Sequence, residues 1–205
     1  MDMLTGIYRY FPSTMITALF VLGVALGRVS WVLVGIGGIL VTILIMGIQV
    51  IINRMSPTNQ TPGLMEACSV LPIVGAEYSM MPSFWITVTT YILVYIMSNA
   101  VSVYSKNPTK QSNTAIAVQQ RKGLGVISII AVLIVGLLLL GTRMMSPCES
   151  WLGIISSTII GGGVGYGWWA ILNAQGNDIF QDIHGVMVGL QPGDLRTGPL
   201  ACTPA

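Results

Sequence analysis

Between Thr14 and Ile52 the chain carries one charged side chain, Arg28. As a single α-helix this run would measure about 58 Å at about 1.5 Å per residue. That is nearly twice the roughly 30 Å of a bilayer's hydrocarbon core. Near its middle stands Gly27-Arg28-Val29-Ser30-Trp31: a flexible residue, a charge, a capping hydroxyl and an interfacial aromatic in succession. The pattern predicts a tight hairpin joining a span over about 13–28 to a second over about 31–53. One long tilted helix, partly outside the membrane, is the alternative.

Composition extends the same conclusion to the whole chain. Apolar residues make up 53% of it and charged residues 8%, against about 25% charged in an ordinary soluble domain. Nine Lys and Arg and seven Asp and Glu cannot cover the surface of 205 residues, so much of that surface must face lipid. The formal net charge of +2, spread over scattered basic residues, does not suit a nucleic-acid backbone.

Further along, Pro57, Pro62, Pro72 and Pro82, with Asn59, Gln60, Glu66 and Glu77 among them, break any continuous span and predict an extramembrane loop over 54–83. A third span is expected over about 84–104, with Trp85 and Tyr104 at its two ends in the headgroup layer. Lys106, Pro108, Lys110, Arg121 and Lys122 then form a basic connection. A fourth span follows over 124–142 and a fifth over 151–172, closed by Trp168 and Trp169. The expected fold is therefore all-α: a polytopic transmembrane helical bundle over 1–172 with about five spans, four being the alternative, and an ordered extramembrane tail over 173–205. The opening residues lack a small-residue cleavage pattern, so the first span reads as retained.

With five spans, Arg28, Lys106, Lys110, Arg121, Lys122 and Arg196 share one side, and Arg9, Arg54 and Arg143 the other. The positive-inside rule then favours an outward N-terminus and a cytoplasm-facing tail.

Spans two to five hold no ionisable Lys, Arg, Asp, Glu or His in their interiors. Pumps, proton relays and metal transporters keep such residues inside the membrane because a buried charge persists only where it does work. A channel lined by Thr87, Thr89, Thr90, Ser98 and Asn99 stays open as a reading, although these side chains more often bond helix to helix. No catalytic residues are expected, since Ser156 and Ser157 have no base in their span and the single His184 lies in the tail. Nor is a metal site or cofactor: Cys68, Cys148 and Cys202 show no ligand spacing.

The five-span topology places Cys68 and Cys148 on one side, so they are either a disulfide or two unpaired thiols. Asn59-Gln60-Thr61 is a formal glycosylation sequon, weakened by Pro62 directly after it. Small residues recur at Gly23 and Gly27, and again at Gly161, Gly163, Gly165 and Gly167. Such faces let helices approach closely in lipid. They serve either a dedicated docking face for another chain or ordinary packing within the bundle. Asp178, Asp182 and His184, with Asp194 and Arg196, read as a solvated or partner-contact surface.

The tail sequence Asn177-Asp178-Ile179-Phe180-Gln181-Asp182-Ile183-His184-Gly185-Val186-Met187, then Gln191-Pro192-Gly193-Asp194-Leu195 and a closing Cys202, resembles the endings of small multi-span proteins of nucleocytoplasmic large DNA viruses. That resemblance covers about forty of the 205 residues. It implies a non-enzymatic structural protein of the viral inner membrane, derived from host endomembranes. Such a protein is a minor capsid component of the virion that links bilayer to icosahedral capsid during virus assembly, with membrane lipids and other capsid or membrane-complex proteins as partners. A channel or transport component, or an accessory subunit of a cellular membrane complex, is the alternative.

Overall fold

The computed structural model describes residues 2–55, 82–105, 115–144 and 151–175. These residues form five α-helices, with no strand among them: α1 (Asp2–Ala25), α2 (Val29–Met55), α3 (Phe84–Ser105), α4 (Ala115–Met144) and α5 (Trp151–Ala174). Three of the helices hold segments long and apolar enough to cross a membrane, Val29–Ile52, Phe84–Ser105 and Lys122–Arg143. A shorter apolar segment, Tyr10–Ala25, lies in α1. α5 is not among these three, although Trp151–Ala174 contains no charged residue.

The turn expected near Arg28 is present, and its mechanism is local. Gly27 adopts φ 63°, a left-handed conformation that costs a residue with a Cβ about 1–2 kcal/mol. Around it the Arg28 N–H donates to the Gly23 carbonyl at 2.8 Å and the Gly27 N–H to the Val24 carbonyl at 3.2 Å. This is the paired bonding of a Schellman cap. The next helix starts at once, the Arg28 carbonyl accepting from the Trp31 and Val32 N–H groups. Arg28 thus occupies the cap position through its backbone. Ser30, expected to cap, is instead buried inside the first turn of α2.

Two helices run further than their apolar stretches. α1 continues through Pro12 to Asp2, because a proline deletes a single ladder bond and displaces one carbonyl without forbidding the helix beyond it. α4 extends upstream to Ala115, so Arg121 and Lys122, expected in a connection, are helical. Ala115 to Lys122 offers good helix formers with no Gly or Pro to stop them.

α3 is the hub. It packs extensively on α5 and α4, less on α2 and slightly on α1, while α1 pairs with α2 in the hairpin. Trp85, Ile86, Val88, Tyr91 and Tyr95 of α3 are fully buried. α4 is the opposite case, with Ile127, Leu133, Leu137 and Leu138 all exposed. An apolar face left uncovered on a helix of this length is what a hydrocarbon solvent requires, since lipid tails are as apolar as the side chains they meet.

The hairpin closes through glycines on both arms. A Cβ at Gly23 would meet the Val32 backbone nitrogen at 2.7 Å, one at Gly35 would meet Phe20 at 3.0 Å, and one at Gly38 would meet Ile16 at 2.8 Å. Gly27 has open space around it. The two glycines grouped by their spacing therefore divide the work, Gly23 to packing and Gly27 to the turn.

Candidate functional site

α3 and α5 run in parallel, in step. Ser83 meets Ser157, Thr87 meets Gly161 and Tyr91 meets Gly165, each pair one helical turn beyond the last. A Cβ on Gly161 would run into the Thr87 carbonyl oxygen, and one on Gly165 would stand 2.6 Å from the Tyr91 carbonyl oxygen. Both obstacles are backbone and cannot rotate aside, so the two helices approach as closely as they do only because glycine occupies both positions. Gly163 and Gly167 face open space. Of the five glycines from 161 to 167, Gly161 and Gly165 press on the backbone of α3, Gly162 lies within van der Waals reach of the Thr90 and Val94 side chains, and Gly163 and Gly167 lie on the outer side of α5.

The seam begins with a polar junction. The Ser83 N–H donates to Ser157 Oγ at 2.6 Å, while Ser83 Oγ accepts from the Ile86 N–H at 3.4 Å, so Ser83 serves as the N-cap of α3. Thr87 Oγ1 donates back to the Ser83 carbonyl at 2.7 Å. Gln49, near the end of α2, donates through Nε2 to the Pro82 carbonyl at 2.7 Å. The segment entering α3 is thereby held to α2 and α5 together, and the Ser83 and Ile86 N–H groups at its start have partners.

Toward the other end of the bundle a second junction ties three helices. Tyr91 Oη donates to the Val34 carbonyl at 3.0 Å, and Trp168 Nε1 donates to the Leu33 carbonyl at 3.0 Å. Both reach α2 over Gly37, where a Cβ would occupy the space of the tyrosine hydroxyl and stand 2.7 Å from the indole nitrogen. Each bond uses a spare lone pair on a carbonyl already engaged in the helix ladder. Tyr91→Phe is expected to cost about 1 kcal/mol, the usual worth of one such bond. The measurement is the unfolding equilibrium in micelles, and a loss below about 0.3 kcal/mol would count against the junction.

At the Ser83 end, Arg143 is 7% exposed and its guanidinium lies 5.5 Å from the centroid of the Trp85 ring. Phe11 tilts against the same indole at 6.4 Å. Trp85, expected in the headgroup layer, is instead fully buried beneath this charge. Tyr104 at the far end of α3 is 46% exposed, with Lys122 Nζ 5.9 Å from its ring centroid, the arrangement of an interfacial aromatic and a snorkelling lysine.

Thr87, Thr89, Thr90 and Asn99 are buried on the central helix, and Ser98 is half-buried. The hydroxyls of Thr89, Thr90 and Tyr95 have no hydrogen-bond partner. No His, Cys or Glu occurs among the described residues, so none of these hydroxyls has an imidazole, thiol or glutamate base beside it there. Thr87 bonds within its own helix, so the bonds between helices come from Ser83–Ser157, Gln49–Pro82, Tyr91–Val34 and Trp168–Leu33. Cys68, Cys148, Asp178, Asp182, His184, Asp194 and Arg196 lie outside the described residues.

The reading of the sequence singled out the Gly161–Gly167 cluster and missed Gly37, Ser83, Ser157 and Trp168 as junction residues. The grouping Gly35, Gly37, Gly38 within α2 was the available signal for a close approach there. Compared with protein-family models, curated proteins and solved structures, the chain matches none of them.

Proposed function

We propose that this chain is a non-enzymatic structural membrane protein in which all five helices cross the bilayer. It anchors the internal membrane of a large DNA virus to the capsid, as a minor capsid component acting through the 54–83 loop and the 173–205 tail. The supporting observation is that the polar junctions among the described residues bind one helix to another: Tyr91 and Trp168 to α2, Ser157 to the start of α3, and Gln49 to Pro82. A bundle built so is a rigid plug in lipid, and its extramembrane segments carry the contacts. For α5, support for a fifth crossing comes from its uncharged length and its parallel seam with α3. For α1 it comes from the hairpin with α2. The virion setting rests on the likeness of the tail.

Cross-linking mass spectrometry of purified virus particles, before and after detergent stripping, tests the proposal. The expected result is a high-copy chain, retained with the capsid fraction and cross-linked to capsid proteins through Asp178, Asp182 and Asp194. Its absence from particles, or ion flux through liposomes carrying the purified chain, would overturn the anchoring role.

A further inference from the structure

α5 holds to the bundle chiefly through one partner, packing extensively on α3 and only slightly on α2. Its composition does not suit it to stand in lipid alone, and it is not among the segments long and apolar enough to cross a membrane. Over Trp151–Ala174 it carries six glycines, Ser156, Ser157, Thr158 and Asn173. A glycine has no side chain to shed from water, and each hydroxyl or amide brings a polar group that hydrocarbon does not solvate. α4 is the contrast. Thirteen of the 22 residues in Lys122–Arg143 are Val, Leu or Ile, the side chains that favour insertion, against eight of 24 in α5.

Several of the residues that weaken α5 as a lone span are the ones that join it to its neighbours. Ser157 is fully buried and accepts the Ser83 N–H. Gly161 and Gly165 let α5 reach the backbone of α3. A hydroxyl and two bare stretches of helix are a liability against lipid. Against α3 the hydroxyl has a donor, and the bare stretches bring atoms close enough for dispersion to act. Trp168 adds its bond to the Leu33 carbonyl of α2. Helices of a membrane bundle ordinarily insert first and associate afterwards, whereas here association supplies part of what insertion needs.

We infer that α5 is a conditional span, kept across the bilayer by its seam with α3 rather than by its own apolarity, so that the seam decides on which side of the membrane the chain beyond α5 lies. The inference rests on the reading that α5 crosses the bilayer, and adds the cause of that crossing. A broken seam returns the end of the chain to the side of the link that precedes α5.

Two native cysteines flank α5 in sequence, Cys148 before it and Cys202 after it, and a membrane-impermeant maleimide reads their sides in sealed vesicles. The full chain carries Cys68→Ser, which leaves only these two. In this parent one cysteine is expected to react in intact vesicles and both after permeabilisation. Gly161→Ala with Gly165→Ala sets two Cβ atoms against the α3 backbone and is expected to raise the share of chains with both cysteines on one side at least about tenfold. The same pair makes α5 more apolar, so a helix inserted by composition alone would cross at least as completely as before, and the two accounts give opposite signs. Gly163→Ala with Gly167→Ala adds the same methyl groups where nothing lies within 4 Å and is expected to leave the cysteines on opposite sides. Adding Gly163→Leu and Gly167→Leu to the Gly161→Ala, Gly165→Ala pair is expected to restore crossing, by giving α5 the apolarity it lacks. Cys148 is expected to keep its side throughout, since α1 to α4 are untouched. Opposite sides retained in the Gly161→Ala, Gly165→Ala chain, an equal loss in the Gly163→Ala, Gly167→Ala chain, a loss that the leucines do not repair, or a change of side at Cys148 would each overturn the inference. Both cysteines on one side in the parent would overturn the five-span reading itself.

Discussion

Gly165→Leu is expected to destabilise the bundle by about 3 kcal/mol or more, the upper part of the range for forcing volume into a packed interface. The first atom added would already stand 2.6 Å from the Tyr91 carbonyl oxygen. Relief requires moving α5 away from α3 along its length, because the obstacle is backbone. That movement loosens the Thr87–Gly161 step and the Ser83–Ser157 bond in the same register. It also carries Trp168 away from the Leu33 carbonyl. Gly167→Leu is the matched control: the same substitution two residues on, with nothing within 4 Å of the new Cβ, should stay within about 0.5 kcal/mol of wild type. Reversible unfolding in mixed detergent micelles measures both. Equal effects at the two positions would mean that α5 does not use Gly165 to meet α3.

Trp85→Ala is expected to cost about 2–4 kcal/mol. Truncating a buried aromatic in a water-soluble core costs about 3–5 kcal/mol, part of it the transfer of the ring from water. Helices separated within a bilayer keep their side chains in apolar surroundings, so that part is largely absent and the loss is one of packing. The substitution also removes the ring under the Arg143 guanidinium, a contact worth up to about 2 kcal/mol where solvent is excluded. Trp151, 69% exposed at the start of α5, supplies the comparison, and Trp151→Ala should change stability by less than about 0.5 kcal/mol. A Trp85→Ala variant as stable as Trp151→Ala would show that the indole is not enclosed.

These comparisons pair residues that a sequence treats alike. Trp85 and Trp151 each open an apolar helix, and a one-dimensional reading assigns both to the headgroup layer, since Trp is enriched there. What separates them is which helix lies beside each: α3 is surrounded, so its first turn is covered by Phe11 and Arg143, whereas Trp151 opens a helix at the edge of the bundle. Gly163 and Gly165 likewise share one cluster and differ in facing. A two-residue step turns the helix face by about 200° at about 3.6 residues per turn, so one points at α3 and the other away.

Hydropathy, turn chemistry and charge are local properties, and they determined much of this protein from sequence alone. The scarcity of charge dictated an apolar solvent. Gly27 next to Arg28 dictated the hairpin, because a left-handed residue ends a helix wherever it occurs. The onset of α3 at Phe84 followed from Pro82, the last of the four helix-breaking prolines before it. Only the tertiary structure decided which helix would be central, which glycines would touch backbone and which would face open space, that Ser157 would receive the Ser83 N–H, and that Tyr91 and Trp168 would meet over Gly37. The physical reason is that an apolar surface looks the same to lipid and to another helix. In water burial and exposure write different residues into the chain, but in a bilayer both faces of a helix can be apolar, and only shape, a missing Cβ or a spare carbonyl lone pair selects the partner.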